Sequence, residues 1–202
     1  MSVNTLVNKM YTVYLDPGHG GRDPGAVGPT GLRESDMNLD VCKRIYRILT
    51  NLDPYEEDQY DVHMTRETDD YISLDNRVKL CNMADSDIFV SYHFNASSSP
   101  HTKSSWEIFT TKGQNNSDKL ATFIGEAHAK QFPQQHQRSD WSDGDLDKEA
   151  NFAVIRGANC PAVLVEGEFI STIHGEQLIS DPNNRQKMAE AVAEGIIKYT
   201  RS

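Results

Sequence analysis

Apolar positions along this chain recur with two periods, and the switches between them mark the elements. Residues 12–16 (TVYLD) are a β-rich run that stops at Pro17-Gly18, and a glycine-rich stretch then extends to Gly31. From Ser35 the spacing becomes helical: Val41, Cys42, Ile45, Tyr46 and Leu49 share one face, and Ser35 or Asp36 can cap the start. Residues 60–65 (YDVHMT) alternate as a half-buried strand, and 74–84 predict a helix with Leu74, Val78, Leu80 and Cys81 inward. Strands are expected at 88–92 and 105–111. A helix follows from about 117 to 132, with Leu120, Ile124, Ala127 and Gln131 on one face. Segment 133–149 is polar and acidic and shows neither period. Residues 152–155 and 162–165 are apolar runs, the second opened by Pro161 and continuous enough for a central strand. After the turn at Asp181-Pro182, Met188, Val192, Ile196 and Tyr199 mark a closing helix.

Strands alternating with helices predict an α/β fold: a single domain with a mainly parallel, mixed and twisted sheet flanked by helices on both faces. A length of 202 residues suits one core. The expected division is an N-terminal tail over 1–10 and one catalytic domain over 11–202, acting as a monomer. No window approaches the roughly 18 consecutive apolar residues of a membrane span, so no membrane contact is expected. A net charge of −10, from 30 acidic and 20 basic residues, would repel a phosphate backbone, which argues against a nucleic-acid partner. Residues 1–10 lack the basic end, apolar stretch and cleavage site of a secretory leader. Cys42, Cys81 and Cys160 form no C-x-x-C pair and read as small buried hydrophobes.

Open α/β sheets place ligand sites at the carboxyl ends of their strands. His19 follows the first strand, His93 ends the strand at 88–92, and Glu166 ends the run 162–165. A lone loop histidine is ordinarily structural, and Glu34, just before the first helix, is ordinarily a favourable charge near a helix N-terminus. Taken together, two imidazoles and a carboxylate are also a tetrahedral zinc set with one position left for water. The glycine-rich loop lacks the G-K-[ST] ending of a phosphate cradle, and no G-x-S-x-G elbow of a serine hydrolase occurs.

The strings DPGHGGRDPGAVGPTGLRESDMN, TRETDDYISLDNRVKLCN, ADSDIFVSYHFNA and PAVLVEGEFIS resemble, in order and spacing, the zinc-dependent N-acetylmuramoyl-L-alanine amidases of the amidase 3 type. The likeness runs from about residue 13 to 199. It implies that His19, Glu34 and His93 bind Zn2+ and that Glu166 is the catalytic acid/base. It also implies that the partner is bacterial peptidoglycan, attacked at the amide joining N-acetylmuramic acid to L-alanine. Glu168 competes with Glu166, because alternation along a continuing strand would point both the same way. A zinc hydrolase of another amide, or a non-catalytic peptidoglycan-binding module, are the alternatives. The setting expected is the cell wall, reached as a phage lysin or as a trimmed secreted enzyme.

Arg66, Asp69, Arg77, Asn82 and Asn95 are expected either to orient strand ends and ligands by hydrogen bonds or to form ordinary surface pairs. His63, His101, His128, His136 and His174 are expected to be structural or exposed. The departures from the family pattern are Phe94 beside a ligand, an acidic hairpin at 54–61 and Thr172; none removes a ligand.

Overall fold

In the computed structural model the residues described are 9–52, 58–99, 103–142 and 144–202. The chain runs β1 (Lys9–Pro17), α1 (Glu34–Thr50), β2 (Asp58–Met64), α2 (Leu74–Met83), β3 (Ile88–Asn95), β4 (Ser105–Thr110), α3 (Asn116–Gln131), β5 (His136–Gln137), β6 (Lys148–Glu149), α4 (Ala153–Gly157), β7 (Ala162–Phe169), α5 (Ile173–Ser180) and α6 (Pro182–Thr200). The strand order is β2-β1-β3-β7-β4-β5, with β6 also on β4. Pairing is parallel throughout except between β4 and β7. This is the expected mixed, mainly parallel sheet. Of the expected tail, residues 1–8 lie outside the described residues, and Lys9 and Met10 already belong to β1. Residues 54–57 of the acidic hairpin and His101 also lie outside them.

Strand alternation sorts the core into two layers. Val13, Leu15, Val90, Val163 and Val165 face α1, α3 and α6, where Val41, Ile45, Leu120, Ile124, Val192 and Ile196 meet them. Tyr14, Phe89, Ala162 and Leu164 face the other way, onto Cys81, Val154 and Ile155 of α2 and α4. Each such aliphatic side chain removed from water contributes about 1.5–3 kcal/mol. Helices α3 and α6 pack closely because position 195 is glycine: a Cβ there would lie 2.5 Å from Ile124 Cγ1.

The helical pattern overreached in places. Tyr46, Leu74 and Leu80 are exposed, against expectation. In α2 only Arg77 and Cys81 are buried, because the helix turns one residue toward a loop backbone and not a broad apolar face toward the core. Helix α1 begins at Glu34, with Arg33 as N-cap and no side-chain cap bond, so neither Ser35 nor Asp36 caps it. The apolar run at 152–155 becomes the short helix α4. Segment 133–149 holds the two-residue strands β5 and β6, and α5 follows β7; all three are too short to display a period.

Candidate functional site

At the carboxyl end of β1 the chain must leave the sheet while keeping His19 beside β3. His19 adopts φ 61°, a left-handed conformation uncommon for a residue with a Cβ, and two buried arginines hold it there. Arg77 donates from Nη1 to Asp16 Oδ1 and the Pro17 carbonyl, both at 2.7 Å, and from Nη2 to the His19 carbonyl at 2.7 Å. Arg66 donates from Nε to the Pro17 carbonyl at 3.0 Å and from Nη2 to the carbonyls of Gly18 (2.9 Å) and Ser35 (2.8 Å). Asp16, 1% exposed, also accepts from Thr65 Oγ1 at 2.6 Å and Ser91 Oγ at 2.7 Å. Its charge is therefore compensated, as a buried carboxylate requires. Gly18 leaves room for the imidazole behind it: a Cβ at that position would lie 2.0 Å from His93 Cε1.

This backbone brings together the three residues expected to hold metal. One donor atom from each of His19, Glu34 and His93 lies within 4.8 Å of the other two. His19 Nε2 is 3.2 Å from Glu34 Oε2, and His93 Nδ1 is 3.0 Å from Glu34 Oε1. The two rings meet nearly edge to face, 5.0 Å between centroids. The far nitrogen of His19, Nδ1, sits 2.9 Å from Asp23 Oδ2, the kind of outer partner that fixes a ligand's tautomer and orientation. Glu34 is held in turn by the N–H groups of Ala26 (2.8 Å) and Phe94 (3.2 Å) and by Asn38 Nδ2 (3.2 Å).

Burial works against the charge on Glu34, but its bonds to His19 and His93 outweigh that and hold the carboxyl well below the usual carboxylate range. Burial likewise opposes protonation of His19, and the carboxylates of Glu34 and Asp23 overcome it, raising the imidazole to about 8. Two nitrogens and one carboxylate oxygen around a common point are the donor chemistry of a zinc site with an open position. The loop leaves space for it at Gly25, where a Cβ would lie 2.5 Å from Glu34 Oε2 and 2.6 Å from His19 Cδ2.

Glu166 pairs in register with His93 across β3 and β7. It lines a cavity of about 430 Å³ together with His19, Asp23, Tyr71, His93 and Phe152. Its Oε2 is buried with no hydrogen-bond partner. Burial, and then the charges of Glu34 and Glu107, push its carboxyl well above the ordinary range. Glu168 has different surroundings. A register shift opposite His93 and Asn95 interrupts the β7 alternation, so the expected common direction of the two carboxylates does not hold. Glu168 is wholly buried and accepts from Ser104 Oγ, the N–H groups of Ser105 (3.2 Å) and Phe169 (2.7 Å), and Gln135 Nε2 (2.8 Å).

Arg66 and Arg77 are thus backbone clamps and not surface pairs. Asp69, on the surface, accepts from the Gly21 N–H at 2.8 Å. Asn82 joins α2 to the end of α4 through the Gly157 carbonyl and the Asn159 N–H, both at 2.9 Å, and takes no part in the cluster. Asn95 donates to Glu107, which also binds Lys148 Nζ (2.6 Å) and Arg138 Nε (3.2 Å). Phe94 is buried edge-on against Tyr92 and packs the core. Thr172 caps α5. His63, His136 and His174 are exposed, and His128 is buried.

Three contributors escaped the sequence reading. Asp23 stands four residues after His19, and Asn38 one helical turn after Glu34, an i, i+4 neighbour on α1; both spacings could have flagged them. Buried Glu176 accepts from the Thr30 N–H (3.0 Å) and Oγ1 (2.9 Å) and the Leu32 N–H (3.3 Å), pinning the glycine-rich loop to α5 from 146 residues away. No local signal announces a contact at that separation.

An α/β sheet whose strand ends bring His19, His93 and Glu166 to one cavity, with Glu34 against both histidines, has a group that could hold a metal ion, and comparison with known proteins says which family it belongs to. The model of the family described as N-acetylmuramoyl-L-alanine amidase matches residues 13–198, and the chain belongs to that family. It is 30% identical to the N-acetylmuramoyl-L-alanine amidase AmiC of Neisseria meningitidis serogroup B over 93% of this chain, but spans only 52% of that protein. It is 31% identical to the sporulation-specific N-acetylmuramoyl-L-alanine amidase of Bacillus subtilis, covering 93% of this chain and 67% of the relative. The crystal structure of an N-acetylmuramoyl-L-alanine amidase from Clostridium difficile 630 superposes with a TM-score of 0.86 at 31% identity, covering 96% of this chain and 98% of the other. Zinc dependence is general in this family, and the His19, Glu34 and His93 group is a candidate to hold the ion. No helix among the described residues is long and apolar enough to cross a membrane.

Proposed function

We propose that this chain hydrolyses the amide between the lactyl group of N-acetylmuramic acid and the L-alanine of the peptidoglycan stem peptide, with His19, Glu34 and His93 holding zinc and Glu166 moving the proton. The observation that carries this reading is the placement of a buried, unpartnered glutamate oxygen in a cavity lined by the two imidazoles that meet Glu34, in a chain of this family. The ion, when bound, supplies Lewis acidity that makes water nucleophilic near neutral pH and polarises a carbonyl.

The chain's own residues do the rest. Asp23 holds Nδ1 of His19, leaving Nε2 as the donor, while the Ala26 and Phe94 N–H groups fix the Glu34 carboxylate. Glu166, with its proton affinity raised, suits a group that must take a proton from water and return it to the departing alanine nitrogen. That return is required, because an amine anion is a very poor leaving group. Ile72, Val154 and Leu164 form an apolar part of the cavity lining that limits water around the glutamate.

Digestion of purified peptidoglycan, followed by amino-group labelling and mass spectrometry, tests the bond. New α-amino groups should appear on L-alanine, with no new reducing sugar ends. Amines from D-alanine or from cross-bridges would reassign the chain as a wall endopeptidase, the nearest alternative zinc amide hydrolase.

A further inference from the structure

The acidic segment before β6 holds a second cluster of carboxylates, which the amide reading does not use. Leu146, buried, packs near Trp106 against the glycine face of α3 at Gly125, and so draws its neighbours Asp145 and Asp147 inward. One carboxylate oxygen from each of Asp118, Asp145 and Asp147 lies within 4.8 Å of the other two. Proximity of acidic groups alone identifies nothing, but two of these groups each also bury one oxygen that no donor reaches. Asp147 is 2% exposed; its Oδ2 accepts from Thr110 Oγ1, and its Oδ1 is buried with no partner. Asp145 accepts from Gln114 Nε2 at 2.8 Å on Oδ2, and its Oδ1 too is buried with no partner. Asp118 accepts the Asn115 N–H in the capping box of α3. Among the described residues neither Asp145 nor Asp147 forms an ion pair, and the neighbouring Lys148 turns away to Glu107.

We propose that Asp118, Asp145 and Asp147 form a second cation site that takes a hard divalent ion of the calcium class. Clustered carboxylates that bury an undonated oxygen and have no countercharge need either a proton or a cation. One shared proton neutralises one of three charges, whereas a dication neutralises two. The donors are all oxygen, on a non-helical segment joined to a helix start, which suits the flexible six- to eight-oxygen shell of calcium better than the nitrogen-containing set at His19 and His93 suits it. Burial of Asp147, then the direct approach of the Asp145 carboxyl and the charges of Asp145 and Asp118, outweigh the Thr110 bond and push its carboxyl up to about 7, the direction expected of a group whose negative charge lacks compensation.

The site stands apart from the first. Strand β4 runs antiparallel to β7, so Thr110 at its end lies beside the start of β7, where Ala162 N–H donates to Ser117 Oγ at 3.0 Å. Glu166 is four residues further along that strand, about 13 Å away. A bound ion there would tie the acidic loop to the start of α3 and the end of β4.

The test titrates the zinc-loaded full chain with calcium chloride, by isothermal calorimetry and by thermal unfolding. One saturable calcium per chain is expected, with Tm rising by about 5–10 °C at a hundredfold excess over Kd. Asp147→Asn should abolish that binding. Asp145→Asn, on a half-buried residue that a fold tolerates more easily, should weaken it at least tenfold and decides the matter if the first variant does not fold. In calcium-free buffer both variants should unfold no earlier than the parent, since each removes repulsion. Absence of saturable binding, equal binding by parent and variants, or tighter binding of magnesium than of calcium would overturn the proposal. The readout is calcium itself, so it stands or falls independently of the amide chemistry.

Discussion

The two rims of the sheet treat buried charge in opposite ways. Where β1, β3 and β7 end, each carboxylate meets a donor of another kind: Asp16 meets Arg77 and two hydroxyls, and Glu34 meets two imidazoles and two N–H groups. At the opposite rim Asp145 and Asp147 hold buried oxygens with no donor at all. A compensated rim keeps its shape before any ion arrives, whereas an uncompensated one pays repulsion until something positive comes. Glu166 is the exception at the first rim, and it is the group from which proton transfer is expected.

The largest effect should come from that exception. Glu166→Gln is expected to keep zinc, measured by metal analysis, while hydrolysis slows by on the order of 10²–10⁴, the usual contribution of a positioned acid/base. Loss of zinc along with activity would place Glu166 among the ligands instead.

Next comes the clamp that makes the first rim rigid. Arg77→Met leaves Asp16 buried without its countercharge and frees the Pro17 and His19 carbonyls, which should cost about 3–5 kcal/mol in denaturant unfolding. Arg77→Lys should not restore it, because a point charge cannot serve the four groups that the guanidinium fork reaches. A loss under 1 kcal/mol would mean that the compensation is not what holds the rim.

A third expectation concerns pH. His128, sealed between Trp106 and Phe132, is lowered by burial to about 4, against a smaller raising effect of Gln135. The unfolded chain therefore takes up this proton first as pH falls from about 6.5. Stability is complete above that value and is lost toward pH 4, by about 3 kcal/mol from this residue. His128→Gln should flatten that part of the pH–stability curve; an unchanged slope would count against burial as the cause. The smallest effect belongs to Trp141, 65% exposed on the acidic segment. Trp141→Ala should change stability by less than about 0.5 kcal/mol, since the claim on that segment lies with its buried carboxylates and not with its surface.

What could be read from the chain follows the range of each signal. The strand-helix alternation, the position of His19 after β1, and that of His93 and Glu166 on β3 and β7 were visible because periodicity and strand ends are local. The preference for Glu166 over Glu168 came from the family resemblance; the different surroundings of the two were not legible, because they depend on a register shift against β3 and on partners drawn from Ser104, Ser105 and Gln135. Exposure of Leu74 and Leu80 on α2 was missed because a short helix with an arginine at its buried centre shows the same apolar spacing as one that packs on a core. The roles of Arg66, Arg77 and Glu176 depend on bonds closed across 31 to 146 residues, which no window of sequence contains.

Gly18 restricts the future of this sequence as well as its shape. Every single-base change of a glycine codon that replaces glycine with another amino acid adds at least a Cβ. At position 18 that carbon would overlap the ring of His93, 2.0–2.5 Å from three of its atoms. The imidazole cannot yield without leaving Glu34, so drift at this position meets a wall on all sides. A residue with no side chain and no chemistry is thereby as little free to vary as the metal-binding candidates it makes room for.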